Sequence, residues 1–225
     1  MKPLLTFAAL LLSLSLCHAQ DEPVLQSALV PLHAQTTRGF APRGWKIEQI
    51  VRGDLNRDHV PDAALVLIED KPAKDKHGDA LPRSRALVVA LKEKSGWKRV
   101  GFSGELLMGT QDGGAFYDMM PAPVSVSIRR GVLIVGMEHG SREVEETTHR
   151  LRFQPGRGMV LIGFDSTTRD RATGGVVTQS SNFLTGRKTT TTLPAEKEKS
   201  TTKESRVPTQ LLPLESLKED DRYAK

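Results

Sequence analysis

The chain has few of the residues that stabilise or identify many small proteins. Cys17 is the only cysteine and aromatic residues make up 5% of the sequence, so an internal disulfide is excluded and few rings are present to stack on nucleic-acid bases. After residue 36 no segment has sustained helical periodicity. The formal net charge is +5 with both signs interspersed, which does not predict a nucleic-acid partner and leaves only weak attraction to anionic envelope polymers.

The first nineteen residues have the composition of a secretory signal peptide. Lys2 precedes an apolar stretch from Leu4 to Leu16, and the small residue Ala19 follows it. The stretch is shorter than the roughly 20 apolar residues of a membrane-spanning helix. We therefore predict a signal helix cleaved after Ala19, a periplasmic or secreted protein, and no transmembrane segment. The alternative is a lipid anchor on Cys17, which follows Leu16 where a lipoprotein signal has a small residue.

Short apolar runs bounded by turn-forming residues predict the fold class. Runs rich in Val and Ile start at Trp45, Ala63, Ala86 and Trp97, and later segments alternate apolar and polar residues in the period of two that a half-buried strand requires. Sequences such as Arg130-Gly131 join consecutive segments as hairpins. We predict an all-β protein of nine to eleven mainly antiparallel strands, arranged as a meander in propeller-blade-like or sandwich sheets.

Composition divides the chain into four parts. We predict a signal peptide at 1–19, a proline-containing lead-in segment at 20–44 with one short helix, an antiparallel β domain at 45–193, and a charged tail at 194–225 that docks in part. In that tail the threonine-rich segment has too little apolar surface to order alone, but Thr201 to Val207 can pair as an edge strand and four leucines follow it.

The loop 53–62 carries oxygen-bearing side chains at alternate positions and runs directly into an apolar strand. Ca²⁺ takes 6 to 8 oxygen ligands at about 2.3–2.6 Å, and a tight loop directs them from its first, third, fifth, seventh and ninth residues. The predicted metal ligands are Asp54, Asn56, Asp58, the carbonyl of Val60, and Asp62. A plain acidic turn, with Asp54 and Asp58 bonded to their own backbone, is the other interpretation.

This loop and the strand after it resemble the calcium loop of FG-GAP or VCBS-type repeats, which also form the propellers of integrin α chains. The resemblance covers Gly53 to Ile68 and implies a structural calcium site that joins a loop to a β blade. It is distinct from an EF-hand, because Leu65 stands where that motif needs a bidentate Glu. His59 occupies the position where the repeat has Gly, which requires φ > 0 and predicts weak affinity.

A looser resemblance links the whole chain to exported bacterial proteins of unassigned function. It depends on the segment Gly113-Gly114-Ala115-Phe116 and on the turn from Asn182 to Gly186, and it implies a compact β domain without a known activity. The connection from Gly109 to Pro123 contains several apolar side chains. Such a loop lines a groove or caps one end of the core.

Candidate catalytic residues are sparse. The sequence lacks the Gly-x-Ser-x-Gly spacing of a nucleophile elbow and a phosphate-binding P-loop. Glu138, His139 and Glu143 are the remaining acid–base candidates, although a solvated hairpin explains them as well. We expect an exported, noncatalytic binding or structural module of the cell envelope, with an unknown envelope protein or polymer as partner; the alternative is a periplasmic hydrolase acting on an envelope polymer.

Overall fold

A computed structural model describes residues 24–118, 120–195 and 199–219 as two antiparallel sheets. The predicted signal peptide at 1–19 lies outside the described residues. The strands are β1 (His33–Ala34), β2 (Trp45–Gly53), β3 (Asp62–Glu69), β4 (Arg85–Glu93), β5 (Gly96–Ser103), β6 (Val124–Arg129), β7 (Val132–Gly140), β8 (Glu143–Gln154), β9 (Gly158–Asp170), β10 (Val176–Asn182), β11 (Arg187–Leu193) and β12 (Thr201–Arg206). Short 3₁₀ turns lie at Ser27–Leu29, Thr37–Phe40, Ala115–Tyr117 and Leu214–Ser216.

Neighbouring strands pair antiparallel in both sheets, so the mainly antiparallel all-β prediction is confirmed. The first sheet has the order β1-β5-β4-β3-β2, and the second runs from β6 to β12 without a crossover. Twelve strands are formed by the described residues, one more than the upper end of the predicted range. The additional strand is the two-residue β1, which pairs with Trp97 and Lys98 of β5 and is too short to leave a periodic pattern in the sequence.

Strands β3 and β4 lie at the centre of the molecule and are covered on both faces. Alternate side chains of these strands pack with β6–β9 of the second sheet in one apolar cluster, which includes Leu133, Leu151 and Leu161. The opposite side chains form a second cluster with residues of the lead-in segment, including Leu25, Val30 and Phe40. Coverage on both faces explains why 63–68 reads as a continuous apolar run rather than an alternating one.

The lead-in segment contains less helix than the sequence predicts. The spacing of the prolines predicts a short helix over 24–30, whereas this stretch forms a single 3₁₀ turn at Ser27–Leu29. A helix of seven residues is marginal without tertiary support. Leu25 and Val30 are both buried against the first sheet. The packing of these two side chains, rather than helix formation, therefore holds the segment in place.

The far end of the second sheet is polar and ends in an exposed edge. Thr167, Thr178, Thr191 and Thr202 stand opposite one another across β9–β12, with hydroxyl oxygens 3.3 Å apart in the first pair and 3.1 Å in the last. Cross-strand threonine pairs stabilise such strands without a core. All six residues of β12 are exposed, and the chain then returns to bury Leu214 and Leu217 in the inter-sheet cluster.

Candidate functional site

The acidic loop connects the end of β2 at Gly53 to the start of β3 at Asp62. Leu55 anchors it, because this side chain is buried in the cluster between the two sheets while most of its neighbours in the loop are exposed. The strands on either side pair directly, with Gly53 opposite Asp62. The loop is therefore a tight bend held at its base by the sheet and at its second residue by the core.

Side-chain oxygens at the first, third and fifth positions of the loop turn back over its own backbone. Asp54 accepts from the N–H of Arg57 at 2.6 Å and from that of His59 at 3.0 Å. Asn56 accepts from the N–H of Asp58 at 3.1 Å. These bonds place the three predicted ligands Asp54, Asn56 and Asp58 on one bend.

The carboxylate of Asp58 is held in its ionised form. It accepts from the N–H of Val60 at 2.8 Å and from the side-chain amide of Asn56 at 2.9 Å. Together these two donors keep the pKa of the Asp58 carboxyl below its ordinary value, with the backbone bond contributing most. An exposed, ionised carboxylate with a free lone pair on each oxygen is available to a divalent cation.

The backbone of the loop enters the left-handed region twice. Arg57 has φ 66° and His59 has φ 67°, so the predicted positive φ at the sixth position is confirmed. A non-glycine residue in this conformation costs on the order of 1–2 kcal/mol, although His is among the residues that enter it more readily. The inward hydrogen bonds to Asp54 offset part of that cost, since they bond the N–H groups of both residues.

Asp62 differs from the other predicted ligands because it is fully buried. One of its carboxylate oxygens accepts from the N–H of Leu55 at 2.8 Å, and the other accepts from the N–H of Lys92 at 2.9 Å. Burial raises the pKa of the Asp62 carboxyl, an effect that the two backbone donors oppose. Asp62 is therefore a brace that joins the loop to both β3 and the end of β4.

The structure places the five predicted calcium ligands in different settings. Asp54, Asn56 and Asp58 lie on the same bend and Val60 is exposed, whereas Asp62 is already bonded at both oxygens. No group of three or more His, Cys, Asp and Glu residues placed to hold a metal occurs in 24–118, 120–195 or 199–219. The same side-chain bonds also occur in a plain acidic turn, so the loop geometry accommodates both interpretations.

The three acid–base candidates do not converge on one site. Glu138 and His139 are adjacent on β7, so their side chains project from opposite faces of the sheet. His139 lies on the same face as Glu145, with 3.9 Å between its Nε2 and the carboxylate. Glu138 instead accepts a hydrogen bond from the hydroxyl of Tyr117, which raises the pKa of Tyr117 to about 12. Glu143 lies two residues before Glu145 on the His139 face.

The connection at 109–123 folds onto the second sheet and also borders a groove. Gly113 accepts from the N–H of Gly140 at 2.9 Å, and a Cβ on Gly114 would lie 2.6 Å from the carbonyl oxygen of Gly140. The glycine pair thus allows the two backbones to touch. A shallow cavity of about 280 Å³ follows beside Pro123, lined by Glu138 and Glu146 among others. The connection therefore packs on the sheet and, at Pro123, also lines a groove.

Two buried charged or titratable residues, Arg85 and His149, are not predicted as functional residues by the sequence analysis. The Arg85 guanidinium bonds both carboxylate oxygens of Glu48 at 2.7 and 3.0 Å and also donates to the carbonyls of Met108 and Ala122. His149 is completely buried on β8 with its ring centroid 4.9 Å from that of Phe164. Only the short spacing of Arg83 and Arg85 before an apolar run hints at the first, and alternation within β8 places the second inward.

Comparison of the chain with protein-family models, curated proteins and solved structures gave no match. The FG-GAP resemblance thus stays a prediction carried by the residues of the loop. Among the described residues, no helix has the length and apolar content needed to cross a membrane.

Proposed function

We propose that this protein is an exported, noncatalytic binding or structural module of the cell envelope, stabilised by calcium in an FG-GAP-like loop. The observation that carries the proposal is the loop itself. Oxygens of Asp54, Asn56 and Asp58 all turn onto one bend, and His59 has the positive φ that the repeat's glycine supplies. A periplasmic or secreted location is proposed from the composition of residues 1–19.

The proposed ligands are Asp54, Asn56, Asp58 and the carbonyl of Val60, with Asp62 as the fifth donor. Each oxygen of Asp62 accepts one backbone bond and has a second lone pair. When bound, calcium would supply positive charge that offsets the repulsion among the three carboxylates. The residues themselves close the bend and fix it to the first sheet, so binding would stabilise the folded chain by linkage.

The partner is proposed to be an envelope protein or polymer recognised on a rigid surface. Glu138 projects from the face opposite to His139 and Glu143. The three side chains therefore do not share one site, which argues against the hydrolase alternative. A calcium loop that orders one corner of a β domain would have a structural role.

Thermal unfolding of the full-length protein with calcium and with chelator tests the proposal. Extracellular modules bind Ca²⁺ at about 10⁻⁴–10⁻³ M, and an ion at ten times its Kd stabilises by about 1.4 kcal/mol. For a chain of this size the melting temperature should rise by roughly 3–6 °C. Asp58→Ala should remove this rise, because it removes an exposed ligand with little structural role.

Asp75→Ala provides a matched control. Asp75 also lies in an exposed loop and accepts two backbone bonds, from His77 and Asp79, but His77 rather than an oxygen donor stands two residues after it. This variant should keep the full response to calcium. Equal melting of the unmodified protein in calcium and in chelator would refute the calcium site, as would an unchanged response in Asp58→Ala.

Export is tested separately by cell fractionation and by the mass of the purified chain. The proposal expects protein in the periplasm or medium with Gln20 at its N-terminus. A cytoplasmic protein that retains residues 1–19 would contradict export without affecting the calcium test. Retention of Cys17 with an added lipid mass would instead establish the lipid anchor.

A further inference from the structure

A groove of about 460 Å³ lies between the acidic loop and the β6–β7 hairpin. Its lining includes Arg57 and His59 from the loop and Arg130 from the tip of the hairpin, with Ile128 at its floor. A Cβ on Gly53 would lie 2.5 Å from the Cγ2 of Ile128, so the two sheets meet closely beneath the groove. Two separate turns therefore present cationic or ionisable side chains to one surface depression.

The conformations of these residues are unusual. Arg57, His59 and Arg130 have φ of 66°, 67° and 52°, and they are the non-glycine residues with positive φ in the described part of the chain. All three line the same groove. Strained backbone tends to cluster at binding sites, where the side chain is needed in spite of its conformation.

The β6–β7 turn shows that the basic side chain is not needed for the turn itself. Arg130 and Gly131 are the two central residues of a hairpin with positive φ at both positions. Such a turn is formed most readily by Asn-Gly, and arginine is a poor choice for its first position. Side-chain chemistry therefore explains Arg130 better than turn formation does.

Within the groove His59 lies beside a carboxylate, with 3.9 Å between its Nδ1 and the Oδ2 of Asp54, but the two arginines of the groove are not paired in this way. Among the described residues, neither Arg57 nor Arg130 forms an ion pair with a carboxylate. Asp54 is the acidic residue in the lining, and both its oxygens accept backbone bonds from the loop. A Cβ on Gly131 would lie 3.6 Å from the Nε of Arg57, so this guanidinium lies over the tip of the opposite turn.

We propose that this groove binds a phosphate group, held by Arg57 and Arg130 with His59 beside them. Guanidinium groups match the paired oxygens of phosphate through parallel N–H donors, and two of them from opposite walls would clamp one group. The volume of the groove exceeds that of a phosphate ion. The groove can therefore hold either free phosphate or the phosphate of a larger headgroup. This inference does not depend on calcium binding by the loop.

The test uses the full-length protein in chelator, with inorganic phosphate as the first probe and isothermal titration as the readout. The variants are Arg130→Asn and Arg57→Asn, because Asn adopts positive φ readily and preserves both turns. Each should fold with an equal or higher melting temperature and weaken phosphate binding by about tenfold or more. Arg129→Asn is the matched control, since Arg129 is exposed on the same hairpin but does not line the groove.

Vesicles distinguish the two sources of phosphate. The protein can be sedimented with phosphatidylglycerol vesicles and, as a comparison, with phosphatidylcholine vesicles. Binding to the first kind only, and its loss in Arg130→Asn, would assign a lipid headgroup. Binding of inorganic phosphate alone would assign a free anion. Either result supports the groove. Absence of binding to both probes would overturn the proposal, and so would an equal loss in Arg129→Asn, which would indicate general surface charge. Loss of the calcium response in Asp58→Ala with phosphate binding retained would keep the two proposals separate.

Discussion

The buried carboxylate of Asp62 should stabilise the fold whether or not calcium is present. Its two oxygens accept from the N–H groups of Leu55 and Lys92. In Asp62→Ala the buried N–H of Leu55 and the half-buried N–H of Lys92 lose their acceptor, at about 1–3 kcal/mol each. The expected loss of unfolding free energy is therefore about 4 kcal/mol, which corresponds to roughly 8–16 °C in melting temperature for a chain of this size.

Urea and thermal unfolding in chelator measure this loss. Asp62→Asn should have an intermediate or similar effect, because its amide oxygen replaces one acceptor while its NH₂ group opposes the second N–H. Asp58→Ala is the comparison, since its carboxylate is exposed and should cost less than about 1 kcal/mol without calcium. Equal losses in Asp62→Ala and Asp58→Ala would refute the assignment of Asp62 as a brace.

Two further predictions concern buried groups away from the loop. Burial lowers the pKa of His149 to about 4, below the ordinary value of about 6.5, so between these values the unfolded chain binds a proton that the folded chain does not. As the pH is lowered from about 6.5 to about 4, the free energy of unfolding should therefore decrease by about 3 kcal/mol more in the unmodified protein than in His149→Leu. Parallel pH profiles of the two proteins would contradict this. Arg85→Met should lower the free energy of unfolding, measured in urea, by about 3–5 kcal/mol. The variant leaves Glu48 and the carbonyls of Met108 and Ala122 without their shared donor. A loss below about 1 kcal/mol would show that water replaces the guanidinium.

The strands could be predicted because their signal is local. Alternation in a segment such as Val124 to Ile128 depends only on which face is buried, and turn residues mark where one strand ends and the next begins. The positive φ at His59 was also expected, because the resemblance to the repeat places His59 where the repeat has its glycine. These features are determined by residues that are close together in the sequence, so a local sequence pattern indicates them.

The contacts that hold the connection between the two sheets could not be predicted in the same way. The chain passes from β5 to β6 through 104–123, and Arg85 at the start of β4 holds this connection by donating to the carbonyls of Met108 and Ala122. The burial of Asp62 was missed for a similar reason. Its second partner is Lys92, thirty residues away on β4, and an acidic residue in an acidic loop gives no sign of such a distant contact.

Residues that violate local rules therefore fall into two groups in this fold. Asp62 and Arg85 are buried charges, and each is explained by backbone groups that it satisfies, so their roles are structural. The residues with positive φ in the groove are different, because Asn or Gly would form both turns with less strain and neither arginine has a carboxylate partner among the described residues. Violations at functional sites are expected where a side chain is needed for binding rather than for folding. By this reasoning the groove beside the loop, and not the loop alone, is where recognition by this protein should be sought.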